Sequence, residues 1–270
     1  MKSDEITLHR GLQGVYFDRS ATTFIDGKQG VLEYRGYNIH DLAEYSTFEE
    51  TAYLLIHGNL PTQAQLDEFD SELKGARELP EKVFDVIDLV KDSHPMDVLR
   101  TAVSALASFD PERGDNSPEA TIHKGNRLTS QVPGIVMAHH AIRRGKDPVK
   151  PSSTLSHAAN FLYMLEGNEP SADAANLMDK DFVLHADHGS NASAFTARTV
   201  AGTAADVHGA VTAGIAALSG PSHGGAAENV MQMAKEIGKP ENAADYVHDL
   251  LSSRQRVMGF GHRVYKAEDP

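Results

Sequence analysis

Residues 46–58 read Ser46-Thr47-Phe48-Glu49-Glu50-Thr51-Ala52-Tyr53-Leu54-Leu55-Ile56-His57-Gly58. Ser46 and Glu49 have the spacing of a capping box, in which a hydroxyl and a carboxylate satisfy the orphan amides of a helix start. Ala52, Leu54, Leu55 and Ile56 continue as an apolar stripe, and Gly58 is placed to cap the end. The grammar recurs along the chain. Thr62-Gln63-Ala64-Gln65 opens a second helix directly after Pro61, and Pro95 precedes the 3.6-residue stripe Val98, Leu99, Ala102, Val103 and Leu106. Ser117-Pro118-Glu119 sets an N-cap before a proline at the first helical position. Pro133 is expected to bend or break the helix running towards Arg144, and Ser153 to Leu165 reads as a further helix closed by Gly167 and Pro170. The exception is Phe24 to Tyr34, two short β-prone runs around a glycine-bounded turn, which reads as a hairpin. About ten helices and one short N-terminal hairpin make the fold class all-α.

The 270 residues carry 38 acidic and 25 basic side chains, a formal charge of −13. A chain of this length buries about 70–75% of its unfolded surface and needs no staple. It has no cysteine, so disulfide scaffolds, thiolate catalysis and cysteine-ligated zinc are excluded. The acidic balance argues against nucleic acid, whose phosphates require a basic face. No apolar run reaches the roughly 18–20 residues of a membrane span, and Met1 to Glu5 lacks a signal peptide's apolar stretch. The expectation is a soluble, cytoplasmic protein with neither a nucleic-acid nor a membrane partner.

Residues 191–218 are rich in small side chains, with 18 of 28 being Ala, Gly, Ser or Thr. Such residues let helix backbones approach closely. This is either an Ala-rich buried helix pair broken near Asp206 or a close seam between subunits. The segment Asp110 to Ser117 reads as a linker-like loop.

Three histidine-bearing stretches are set among glycines. They are His185-Ala186-Asp187-His188-Gly189-Ser190-Asn191, Gly220-Pro221-Ser222-His223-Gly224-Gly225-Ala226 and Val257-Met258-Gly259-Phe260-Gly261-His262-Arg263-Val264-Tyr265-Lys266. Glycine beside a polar side chain lets a ligand approach the backbone. His223 stands at the mouth of a helix containing Val230, Met231 and Met233. The positive end of a helix dipole disfavours imidazolium, and a neutral imidazole can donate a hydrogen bond to a carbonyl or enol oxygen. In the third stretch, Arg254, Arg256, Arg263 and Lys266 surround Gly259 and Gly261 without an acid between them. That combination suits a phosphate-bearing or dicarboxylate ligand. His139 and His140 are expected at the surface, as are His9, His40, His94, His123 and His248. His57 reads as a helix-end residue, and His157 and His208 as packed ones. His185 and His188 are three apart, but no third metal ligand follows with an obvious spacing and HExxH is absent. No metal site is expected.

In order, these three stretches resemble the citrate synthase family. So do Gly11 to Val15, Phe24 to Gly27, Tyr34 to Tyr37, His57 to Pro61 and Pro95 to Arg100, so that the similarity covers essentially the whole chain and looks like the shorter prokaryotic type. The resemblance implies a helical homodimer with a large domain, 1–219, and the start of a small domain, 220–270, bearing the CoA and oxaloacetate loops. It implies condensation of acetyl-CoA, a cosubstrate rather than a permanently bound cofactor, with oxaloacetate to give citrate and CoA. By motif, His223 would stabilise the enol of acetyl-CoA, and His262 would polarise the oxaloacetate ketone. His188 would bind an oxaloacetate carboxylate. Val257, Met258, Gly259, Phe260 and Gly261 would lie against CoA, with Lys266 towards its phosphates. Ser222 and Ala227 depart from the family pattern and are expected to loosen the packing beside His223. The 270 residues end at Glu268-Asp269-Pro270, inside a motif that the family continues with arginine. The family's catalytic aspartate and further carboxylate-binding arginines follow later still. The expectation is therefore impaired turnover by these 270 residues. The alternatives are a 2-methylcitrate synthase using propionyl-CoA, a non-catalytic dimerising or ligand-binding remnant, and a histidine-based metallohydrolase.

Overall fold

The computed structural model describes Val15 and residues 19–221, 223–262 and 264–270. The motif residues Gly11 to Gly14, together with His9, Ser222 and Arg263, lie outside them. Three antiparallel strands form one small sheet in the order β1 (Thr23–Asp26), β2 (Val31–Tyr34) and β3 (Tyr37–Asn38). The hairpin is as expected, and β3 adds a third strand through the pair Glu33 and Asn38. Twelve α-helices follow among the described residues: α1 (Ile39–Tyr45), α2 (Phe48–His57), α3 (Gln63–Gly75), α4 (Glu81–Leu89), α5 (Pro95–Leu106), α6 (Pro118–Ile142), α7 (His157–Glu166), α8 (Ala172–Leu184), α9 (Ala192–Ala201), α10 (Val207–Leu218), α11 (Gly225–Ile237) and α12 (Ala243–Ser252). The protein is mostly helical, as the capping signals indicated. None of these helices is long and apolar enough to cross a membrane.

Local chemistry explains most helix ends. Thr62 caps α3 and Gln65 returns the bond, closing the box read from the sequence. The box of α2 is shifted by one: Thr47 is the N-cap and Glu50 its reciprocal partner. Glu49 turns inward instead and accepts from the His157 amide at 2.8 Å. Helix α7 starts at His157 rather than Ser153, because the Ser152 hydroxyl accepts from the Thr154 and Leu155 amides and holds a turn there. Pro133 does not break α6, which is continuous over 25 residues. A proline removes one backbone bond, and burial of Leu128, Ile135 and Met137 on either side secures the flanking turns.

The main core joins α4, α5, α6 and α10 through Ile87, Val98, Val103, Leu106, Leu128, Ile135 and Ile215. A second core packs Leu32 and Tyr34 of β2 against Ile39, Leu42, Leu54 and Val183 of α8. This second core places the sheet against the end of α8, where the first histidine stretch begins. The linker-like loop is not loose. Arg127 of α6 makes two bonds to the buried Asp110 carboxylate, at 2.9 and 2.8 Å, and one to Glu112 at 2.7 Å. Lys124, also buried, donates to the Asp115 carbonyl, and Asn116 reaches Ala204 between α9 and α10. His139 is buried rather than exposed, with its Nε2 2.9 Å from the Lys91 carbonyl oxygen.

A polar cluster ties α2, α7 and α8 together. The His157 ring lies 4.6 Å from Phe48 and 5.5 Å from Phe182, and the Asp179 carboxylate accepts from the Phe48 amide at the start of α2. Burial, reinforced by the Arg77 charge, pushes His157 down to about 4. The unfolded chain takes up this proton near 6.5 and the folded one only near 4. The stabilising contribution is therefore complete above 6.5 and is lost as the pH falls towards 4, by up to about 3 kcal/mol. Asp179, raised to about 6 by burial and then by Glu49, acts with the opposite sign over the same range. Thermal melts at pH 7 and 4.5 are expected to show His157→Gln losing less stability on acidification than the wild type. Equal losses in the two proteins would refute this assignment.

Candidate functional site

The sheet and the end of α8 together position the first histidine stretch. Tyr34 is fully buried, and this burial raises its hydroxyl to about 12, so it stays a neutral phenol. It donates to the Leu184 carbonyl at 3.1 Å and accepts from the Asp187 amide at 3.2 Å. The Asp187 carboxylate accepts from the Thr22 and Thr23 hydroxyls and from the Gly189 amide. His188 is thereby held between two anchored residues. His185, by contrast, ends α8 as its exposed cap, with Nδ1 near the Asp181 carbonyl. No group of three or more metal-ligating side chains occurs among the described residues.

The third stretch returns to the same sheet. The Lys266 amide donates to the Gly27 carbonyl at 2.6 Å. A Cβ at Gly27 would stand 2.2 Å from the Val264 carbonyl oxygen, and one at Gly30 2.6 Å from that of Glu268. The β1–β2 turn therefore has to be glycine for the chain after His262 to lie against it. That contact brings His262 to His188, with ring centroids 5.7 Å apart. The Tyr265 ring stacks on His262 at 4.8 Å, and its hydroxyl lies 3.0 Å from Nε2 of His188. Nδ1 of His262 accepts from the Val264 and Tyr265 amides at 3.2 and 2.9 Å. When this ring is neutral its proton is on Nε2. Burial lowers the pKa of His188 and the neighbouring His262 adds to this, while Asp269 and Asp187 act in the opposite sense.

His223 stands two residues before α11, next to its N-cap Gly224 and at the mouth of the helix as the sequence implied. Its Nε2 is 2.8 Å from the Ser193 hydroxyl in the first turn of α9, five residues after His188. With the hydroxyl donating, the ring presents Nδ1–H. Gly224 lies close under the Leu218 carbonyl, which a Cβ would approach to 2.6 Å.

Gly259, Gly261, His262, Tyr265, Lys266, Ala267 and Asp269 line a cavity of about 310 Å³. Val257, Met258 and Phe260 are not in its lining, and Phe260 is 79% exposed. Gly259 and Gly261 both have positive φ, 83° and 79°, which explains why glycine occupies both positions. The Lys266 ammonium donates to the His262 carbonyl at 3.3 Å. The basic reading of this loop is thus confined to Arg254, Arg256 and Lys266 among the described residues.

Tyr34, Thr23, Ser193 and Tyr265 were not singled out from the sequence. Ser193 and Tyr265 lie within or beside the quoted stretches, and asking which neighbouring hydroxyl could pair with each imidazole would have found them. Tyr34 and Thr23 are 150 and 164 residues from their partners, and local pattern carries no signal at that distance.

The sequence pattern described as "Citrate synthase, C-terminal domain" matches residues 11–270. The chain is 44% identical to citrate synthase of Synechocystis sp. over 271 residues, covering all of this chain and 68% of that protein. Among solved structures it is similar to citrate synthase from Pyrobaculum aerophilum, with a TM-score of 0.90 at 39% identity, covering 97% of this chain and 67% of that one. It is also similar to citrate synthase of Thermoplasma acidophilum in a ternary complex with carboxymethyl coenzyme A and oxaloacetate, with a TM-score of 0.92 at 28% identity, covering 98% of this chain and 70% of that one. The glycine-set histidines, the helical frame that carries them and these relatives agree, and the chain belongs to the citrate synthase family.

Proposed function

We propose that the chain condenses acetyl-CoA with oxaloacetate and water to give citrate and CoA. The observation that carries this reading is the hydrogen bonding of three imidazoles. One ring nitrogen of each is engaged by a protein group, Ser193 for His223, Tyr265 for His188 and two backbone amides for His262. The other nitrogen of each ring is assigned to the ligand. His223 donates to the acetyl carbonyl as it becomes an enol. His262 donates from Nε2 to the oxaloacetate ketone and protonates the alkoxide that forms. His188 binds a substrate carboxylate. Donors fixed in advance of the reaction are the usual source of electrostatic rate enhancement.

CoA lies along Val257 to Gly261, with Lys266 towards its phosphates. Residues 1–219 act as the large domain and 220–270 as the start of the small one. A relative captured with a CoA analogue and oxaloacetate supports both ligand assignments. The protein works as a cytoplasmic homodimer through α9 and α10, a reading supported by α9, which buries none of its residues within one chain. Asp187 is committed to two threonines and an amide, so it is not available as the base that removes the methyl proton.

The test is oxaloacetate-dependent release of CoA from acetyl-CoA, with propionyl-CoA alongside. Faster release from acetyl-CoA supports the reading, and a preference for propionyl-CoA makes the activity a 2-methylcitrate synthase. Binding of oxaloacetate or CoA without release indicates a ligand-binding frame without a working base. Neither binding nor release overturns the proposal.

A further inference from the structure

Tyr265 is 5% exposed, lines the cavity beside His262 and meets both His262 and His188, whose ring it also packs against edge-on at 5.5 Å. Its amide donates to Nδ1 of His262, its ring stacks on the same imidazole, and its hydroxyl meets Nε2 of His188. We infer that Tyr265 is a positioning residue whose phenol fixes His188 as the Nδ1–H tautomer, so that an N–H rather than a lone pair faces the substrate carboxylate. This inference rests on the condensation reading of the site.

The direction of the bond follows from the groups involved. Burial, and next to it the charge of Asp269, keeps the phenol protonated, and the hydroxyl therefore has a proton to donate. A neutral imidazole nitrogen is a good acceptor for it, and accepting at Nε2 requires the ring proton on Nδ1. The reverse arrangement, with Nε2–H donating to the phenol, would turn an Nδ1 lone pair towards an anion. One residue thus sets the two rings in opposite senses, His262 through its backbone and His188 through its side chain. Removing the hydroxyl alone should release only His188.

Tyr265→Phe keeps the ring, the stack and the amide. Ring nitrogens of ¹⁵N-histidine-labelled protein are observed by NMR at pH 8 without substrate, with His188 assigned as the signals missing from His188→Gln. The expected result is Nδ1–H for His188 in the wild type, a mixed or Nε2–H state in Tyr265→Phe, and His262 unchanged as Nε2–H in both. With substrates present, KM for oxaloacetate rises roughly 5- to 10-fold as the binding-competent fraction falls, while kcat stays within about twofold. An unaltered His188 tautomer, or an unaltered KM, overturns the inference. A wild-type chain that neither binds oxaloacetate nor releases CoA instead overturns the condensation reading, and the substrate-free tautomer comparison still decides the role of Tyr265.

Discussion

Replacing His223 with alanine lowers CoA release from acetyl-CoA and oxaloacetate by about 10²–10⁴-fold, the range for loss of a positioned acid–base or oxyanion-stabilising group. Affinity for oxaloacetate is expected to stay within about threefold, because the carboxylate and ketone are assigned to His188 and His262, which form a separate ring pair. Ser193→Ala is expected to act in the same direction but less strongly, since it frees the tautomer without removing the ring. The check is a steady-state assay together with titration of oxaloacetate by calorimetry. A His223→Ala protein with wild-type turnover would remove the enol-stabilising role.

The largest stability effect is expected at Arg127. Its two bonds to Asp110 hold together the α5–α6 loop, and the Asp110 side chain is 4% exposed. Burial alone would raise the pKa of Asp110. The Arg127 hydrogen bonds and the Glu112 amide outweigh it and hold the carboxylate below its usual range. Arg127→Ala leaves that charge buried beside His208, whose Nε2 is 3.7 Å away. The expected loss is about 3–5 kcal/mol in urea unfolding at pH 7. The sign of the pH dependence follows from the lowered value. The Asp110 contribution is complete above the unfolded carboxylate pKa and fades as the pH falls through the folded one, so wild type and variant converge in acid. The double variant Arg127→Ala, Asp110→Ala is expected to recover part of the loss. A difference between wild type and Arg127→Ala that does not change with pH would show that the loss comes from packing rather than charge.

Helix starts were legible because a cap is a short-range device. Thr62 with Gln65, Ser117 before Pro118, and Gly58 and Gly167 at helix ends all act within four residues. Local pattern misleads where a distant partner competes. Glu49 has the spacing of a cap but accepts from the His157 amide, 108 residues away. His139 lies beside two arginines in sequence but is buried against the Lys91 carbonyl. Pro133 was expected to interrupt a helix that packing on both sides keeps whole.

At the site, the residue types and their order along the chain were legible, because glycine beside histidine is a local requirement of backbone and ligand. The sequence by itself determined that the protein is helical, that it has no cysteine chemistry and that His188, His223 and His262 stand in glycine-rich turns. Only the tertiary structure decided which nitrogen of each ring is engaged. Those partners are Ser193 on α9 for His223, the Tyr265 phenol 77 residues from His188, and the Val264 and Tyr265 amides of a loop that rests on Gly27 for His262. A tautomer depends on hydrogen bonds at about 3 Å, and contacts made between segments far apart in the chain are set by how the helices and the sheet pack together.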